Sequence, residues 1–169
     1  MTCPPSQAGS QEERLIDIVT IADRPDLIPT VVGWLWEEFW RHDGYSSEDT
    51  RTAVAASIAR SGPPQTFVTL LNGRPTGTAS LAAEDLDERP DLTPWLAGVY
   101  VVPGARGRGF ATKLVATVEQ ASRLSSIPVI WLYTNTAERL YTRAGWQTVE
   151  VVEREGKRPV TLMRKSLEA

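Results

Sequence analysis

The apolar positions of this chain fall into two alternating rhythms. Leu15 to Ile21 reads LIDIVTI, a short β-branched run that predicts a strand. Asp23 and Pro25 then mark a turn. From Asp26 to Arg41 the rhythm changes: Ile28, Val31, Val32, Leu35, Trp36 and Phe39 recur at three and four, which predicts a helix with one face on a core. Ser46 or Ser47 opens a second helix, with Asp49 three residues after Ser46 as in a capping box. That helix carries Val54 and Ile58 and is expected to run to Gly62-Pro63-Pro64.

Strand signals dominate next. Gln65 to Leu71 and Thr76 to Ala83 flank Asn72-Gly73, a strong hairpin turn. An acidic loop, Glu84 to Asp91, precedes Trp95 to Val102, a continuous apolar run of the kind buried on both faces. After a Gly/Arg turn, Phe110, Leu114, Val118 and Ala121 mark one face of a long helix. Val129 to Tyr133 is a further buried strand. A short helix from Thr136 to Ala144 ends at Gly145, a fitting C′ glycine. Trp146 to Val152 and Val160 to Met163 pair around a charged loop, Glu153 to Arg158. The order β-α-α-β-β-β-α-β-α-β-β predicts an α/β (α+β) fold: one domain with a mixed central sheet of six to seven strands, flanked by about four helices.

Totals narrow the picture. The chain has 169 residues and a formal net charge of −3, enough for one domain and no field favouring nucleic acid or a membrane. Residues 1–14 are polar and are expected to form a flexible tail, with the domain over 15–169. The tail has no apolar signal region, so a cytoplasmic protein is expected. Cys3 and His42 are the only cysteine and histidine, which excludes thiolate zinc sites, internal disulfides and HExxH chemistry. His42 reads as a loop histidine, and no metal is expected.

The chemistry lies in Val99-Tyr-Val-Val-Pro-Gly-Ala-Arg-Gly-Arg-Gly-Phe-Ala-Thr-Lys113. A buried strand feeds a glycine-rich turn that opens a helix, so unpaired N–H groups gather at the positive end of a helix dipole. Gly107 and Gly109 have no Cβ to hinder a phosphate. No Asp or Glu occurs between Leu92 and Val118, whereas Arg106, Arg108 and Lys113 do. This is an anion site suited to a pyrophosphate. The dinucleotide pattern GxGxxG fails at Thr112, and the P-loop fails at Phe110.

Arg106-x-x-Gly109-x-Ala111 resembles the [RQ]-x-x-G-x-[GA] loop of the GCN5-related N-acetyltransferases, and the strand before it and helix after it match as well. Ala137-Glu-Arg-Leu-Tyr141-Thr-Arg-Ala-Gly145-Trp146 resembles that family's A-x-x-L-Y-x-x-x-G-F segment. The resemblance covers residues 15–165. It implies transfer of an acetyl group from acetyl-CoA, a cosubstrate, to a primary amine by direct attack in a ternary complex. It implies that Val99, Tyr100 and Val101 bond pantetheine through their backbone. Arg106, Gly107, Arg108, Gly109, Phe110, Ala111 and Thr112 would surround the pyrophosphate, and Tyr141 would be the general acid. Many relatives place an Asn that contacts the cofactor where this chain has Thr134, with Asn135 one residue later; both are candidate contacts. Some relatives carry a Glu base on the strand before the loop, and Trp95 to Val102 has no carboxylate, so the base is water or a carboxylate from elsewhere.

On the acceptor side, the loop Arg41 to Ser47 follows a helix end rich in Trp34, Trp36, Glu37, Glu38, Phe39 and Trp40, suited to a cationic amine. The acidic loop could face the acceptor as well, but reads first as solvated. The expected acceptor is a small-molecule amine. A protein or peptide acceptor, or a non-catalytic coenzyme-A-binding module, are the competing readings. Relatives are often dimers, so a homodimer is one expected assembly.

Overall fold

A computed structural model describes residues 15–168. The expected tail, with Cys3, lies outside the described residues. Seven strands form one sheet in the order β1-β2-β3-β4-β5-β7-β6. They are β1 (Ile16–Thr20), β2 (Gln65–Leu71), β3 (Arg74–Ala82), β4 (Trp95–Val101), β5 (Val129–Thr134), β6 (Gln147–Val152) and β7 (Val160–Ser166). Four α-helices cover it: α1 (Ile28–Glu38), α2 (Ser47–Ala56), α3 (Phe110–Leu124) and α4 (Glu138–Arg143). All neighbouring strands are antiparallel except β4 and β5.

The period-two alternation of strand side chains divides the core between the two faces. On one face Phe67, Ala79, Leu81, Leu96, Ile130, Leu132 and Met163 pack with Leu114, Val115 and Val118 of α3. On the other, Val68 and Leu70 meet Val31, Val32 and Leu35 of α1 and Val54 of α2. Further along, that face carries no helix. Trp95, Val160 and Leu162, with Trp131 and Tyr133 beside them, are covered by Leu86 from the β3–β4 loop.

Both early helices stop sooner than the periodicity predicts. α1 ends at Glu38 because a 3₁₀ turn over Trp40–Asp43 closes on Gly44 in the left-handed conformation. Phe39, expected in the core stripe, is therefore 38% exposed. The capping box at Ser46 and Asp49 forms as expected. α2 ends at Ala56 because Ser57 turns its hydroxyl to Thr66 at 2.7 Å and Ile58 bridges to Gln65, which recruits the next residues to the sheet edge.

Candidate active site

β4 and β5 share one register position, Trp95 beside Trp131. Beyond it they separate, and a cleft opens along the C-terminal half of β4. A bulge sharpens the divergence. Ala97 faces Ser80 and Tyr100 faces Thr78, so Gly98 and Val99 together oppose the single residue Ala79. Such an insertion bends a strand and re-aims its side chains. Gly98 sits at φ +61°, where a side chain would be strained and its Cβ would come within 3.2 Å of Leu35. The sequence reading missed this bulge, although a glycine inside an apolar strand is its usual signature.

At the end of β4 the chain turns through Pro103–Ala105 into α3. Gly109 occupies the N-cap at φ +82°, with no side chain capping the helix. The N–H groups of residues 107–112 have no hydrogen-bond partner among the described residues; the first helical bond runs from Lys113 N to Gly109 O at 3.1 Å. Phe110 anchors the turn by burying its ring in the core, so only its backbone can face a ligand. Arg106 donates Nε to the Val101 carbonyl at 2.9 Å, and its guanidinium lies over the Tyr100 ring at 5.7 Å. Tyr100 in turn meets Trp34 of α1 with ring centroids 5.6 Å apart. Arg106 thus braces the turn against β4, while Arg108 and Lys113 stay exposed.

Tyr141 lies on α4 and is 8% exposed. It stacks edge-on to Trp146 at 6.0 Å and lines a cavity of about 430 Å³ with Ala111, Thr112, Val115 and Glu119 of α3. Its hydroxyl makes no hydrogen bond among the described residues, yet no buried side-chain oxygen there is left unpartnered, so this hydroxyl keeps contact with solvent. Burial pushes its pKa up to about 12, which keeps the phenol protonated. Below the cavity Glu119 accepts from Trp146 Nε1 at 3.1 Å and from Lys165 Nζ at 2.9 Å. Thr134 holds the start of α4 by accepting the Ala137 N–H at 3.0 Å, and Asn135 beside it is exposed.

Opposite these groups stands a charged wall assembled from three loops. Asp43, after α1, pairs with Lys157 of the β6–β7 loop at 2.8 Å. Arg154 of that loop pairs with Glu88 at 3.1 Å and lies 5.7 Å over the Tyr133 ring. Tyr133 meets Trp95 edge-on at 6.2 Å. The acidic loop is solvated over most of its length, as expected, with Glu84, Asp87, Glu88 and Asp91 exposed; Leu86, 2% exposed, anchors it, and Arg89 is tied to Asp91 and Glu150. This burial holds Asp85 half-buried beside Arg154, Asp87 and Asp43. Desolvation is the chief reason its carboxyl is pushed up to about 7. The sequence placed Asp85 in an acidic loop that could face an acceptor but did not single it out, because its environment comes from distant segments. Trp36 fixes the neighbouring loop by donating Nε1 to the Tyr45 carbonyl at 2.9 Å, and Trp40 stacks on Tyr45. His42 lies exposed in the 3₁₀ turn.

A cleft between parallel strands, ending at a turn of open amides, has the shape and the donors for an extended anionic ligand. The chain belongs to the acetyltransferase (GNAT) family, whose model matches residues 28–146, and is accordingly an acetyl-CoA-dependent N-acetyltransferase. Solved structures agree on the fold. The protein yncA from Salmonella typhimurium, determined with its cofactor acetyl-CoA, is 17% identical with a TM-score of 0.69, covering 90% of this chain and 94% of that one. An aminoglycoside 6'-N-acetyltransferase complexed with coenzyme A is 13% identical with a TM-score of 0.73, covering 92% and 98%. A ribosomal-protein-alanine N-acetyltransferase from Brucella melitensis is 20% identical with a TM-score of 0.67, covering 90% and 99%. No curated protein sequence matches the chain. No helix among the described residues is long and apolar enough to cross a membrane, and no group of three or more His, Cys, Asp or Glu there could hold a metal.

Proposed function

We propose that this protein acetylates a cationic primary amine of a small molecule, by direct attack in a ternary complex with acetyl-CoA. The observation that carries the acceptor class is the Asp43–Lys157 ion pair at 2.8 Å. It joins the α1–α2 loop to the β6–β7 loop across the acceptor end of the cleft. A mouth bridged in this way suits a compact amine better than an extended peptide, and the carboxylates of Asp43, Asp85, Asp87 and Glu88 favour a cation there.

The residues present fit acetyl-CoA. Six neighbouring amides without partners, at residues 107–112, offer a pyrophosphate the donors that a helix N-terminus supplies, with Arg108 and Lys113 beside them. Val99, Tyr100 and Val101 border the gap that would take pantetheine, and Thr134 and Asn135 border it from β5. Acetyl-CoA supplies the acetyl group as an activated thioester. Tyr141 then acts as the general acid: its solvent-touching phenol donates a proton to the departing thiolate. Burial holds the phenol protonated, so the proton stays on Tyr141 until a thiolate forms beside it.

The test is an amine panel following release of free thiol, with polyamines, aminoglycosides, amino acids, arylalkylamines and short peptides. Transfer to one of the small amines, well above the peptides, is the expected result. Transfer confined to peptides would overturn the small-molecule reading.

A further inference from the structure

An ammonium substrate cannot attack a carbonyl until it loses a proton. A lysine-like amine has a reference value of about 10.4, so at neutral pH fewer than about one molecule in a thousand is free base. The site therefore needs a proton acceptor, and β4 carries no carboxylate to provide one. The groups around the acceptor end narrow the choice. Asp43 is engaged by Lys157 at 2.8 Å and Glu88 by Arg154 at 3.1 Å. Asp87 is exposed. Tyr133 is held protonated, its phenol pushed far up by burial and by the charge of Asp85. Among these carboxylates Asp85 alone is half-buried without a hydrogen bond or ion pair among the described residues.

Its placement follows from the sheet. Ala82 pairs with Trp95, and Trp95 with Trp131, so the three form one row across β3, β4 and β5 where the cleft begins. Asp85 follows Ala82 by three residues, and Leu86 pins the loop onto the core cluster of Trp95, with Tyr133 packed beside it. The Asp85 charge is felt by Tyr133, two residues beyond Trp131 and inside the cleft. Arg154 and Asp43, from two further loops, face the same carboxyl.

We infer that Asp85 is the general base that takes the proton from the bound ammonium. This rests on the amine-acceptor reading above. Asp85 carboxylate takes one proton from R–NH₃⁺, giving R–NH₂ and the carboxylic acid. The nitrogen lone pair forms the bond to the acyl carbon as the carbon–sulfur bond breaks. The thiolate takes the Tyr141 proton, and the Tyr141 oxygen regains one from the acylated nitrogen. Asp85 finally returns its proton to water, so the balance is amide, free thiol and one proton. An acceptor near neutrality suits this task, since a base works best when its own value lies near the operating pH. The groups facing it are Asp87 from its own loop, Asp43 from the α1–α2 loop, Arg154 from the β6–β7 loop and Tyr133 from β5, while Glu88 pairs with Arg154 and Lys157 with Asp43.

The experiment is the pH profile of kcat/KM for the fastest amine of the panel, in the wild type and in Asp85→Asn and Asp85→Ser. The wild type should rise with pH and level off near 7. Both variants should lose about 10²–10⁴-fold at pH 7 and lose that break, their rates climbing with the free-amine fraction to the amine's own value. Acetyl-CoA affinity by calorimetry should be unchanged. A folded Asp85 variant that retains both rate and break overturns the assignment while leaving the amine-acceptor reading intact. A wild type that acetylates no amine of the panel overturns both.

Discussion

Trp95 and Trp131 are the only residues at which β4 and β5 meet in register, and the cleft on one side of them depends on that single junction. Parallel neighbours normally continue their ladder, but here it stops after one pair, and the Gly98–Val99 bulge bends β4 just beyond it. The same row of residues ties Trp95 to the loop that carries Asp85, so the cleft and the charged wall share one anchor.

Gly109→Val tests the pyrophosphate turn. Gly109 sits at φ +82°, which a β-branched residue adopts only under strain of about 1–3 kcal/mol. No atom lies within 4 Å of the added Cβ, so the fold should survive. The turn itself should relax and misdirect its amides. Losing one charge-assisted hydrogen bond of about 1.5–3 kcal/mol would weaken acetyl-CoA binding by about 10–100-fold. Calorimetry on the folded variant measures this, and unchanged affinity removes the turn from the site.

Tyr141→Phe separates chemistry from packing. The ring and its contact with Trp146 stay, and the lost hydroxyl has no partner among the described residues, so the melting temperature should hardly move. A general acid contributes about 10²–10⁴-fold, and kcat should fall by that factor when transfer limits turnover. A variant with wild-type kcat in a pre-steady-state assay assigns the proton to water instead.

Glu119→Ala should act in the opposite sense, on stability first. Glu119 holds both Trp146 and Lys165, and its removal leaves a largely buried cation with only the Ala144 carbonyl. Breaking a buried pair costs about 3–5 kcal/mol, and the partial exposure of Lys165 places this case at the lower end. Denaturant unfolding reads the loss.

Lys157→Ala opens the acceptor mouth. A partly exposed ion pair contributes no more than about 1 kcal/mol, so stability should change little. The KM for a small amine should rise severalfold while acetyl-CoA affinity stays fixed. A KM equal to that of the wild type would show that the bridge does not shape acceptor binding.

Asp85 also makes stability depend on pH. Its folded value, pushed up to about 7, lies above its unfolded value of 3.8, so between the two the native state binds more protons. Stability therefore falls as pH rises through that window, by up to about 1.4 kcal/mol per pH unit from this one group, and the loss is complete above 7. Asp85→Asn should flatten that slope and melt higher than the wild type at pH 8. An unaltered pH–stability curve would show that the carboxyl is solvated like an ordinary aspartate.

The element order, the capping box at Ser46 and the strand–turn–helix from Val99 to Lys113 were legible because each is local. Strand periodicity, a cap three residues from its partner and a glycine-rich turn before a helix are fixed by residues adjacent in the chain. Helix ends were less legible, as at Ala56, where Ser57 answers to Thr66 rather than to its own helix. The acceptor-side loops could be named from the sequence, but neither the width of the cleft nor the contacts between those loops was legible. The width of the β4–β5 gap follows from a bulge set against β3 and Leu35. The environment of Asp85 is supplied by Asp43, Tyr133 and Arg154, which lie on three other segments of the chain. Sequence by itself determined the strand, glycine-rich turn and helix that leave open amides at the start of α3; only tertiary structure decided which carboxylate loses its water, because desolvation depends on what distant segments pack around a group.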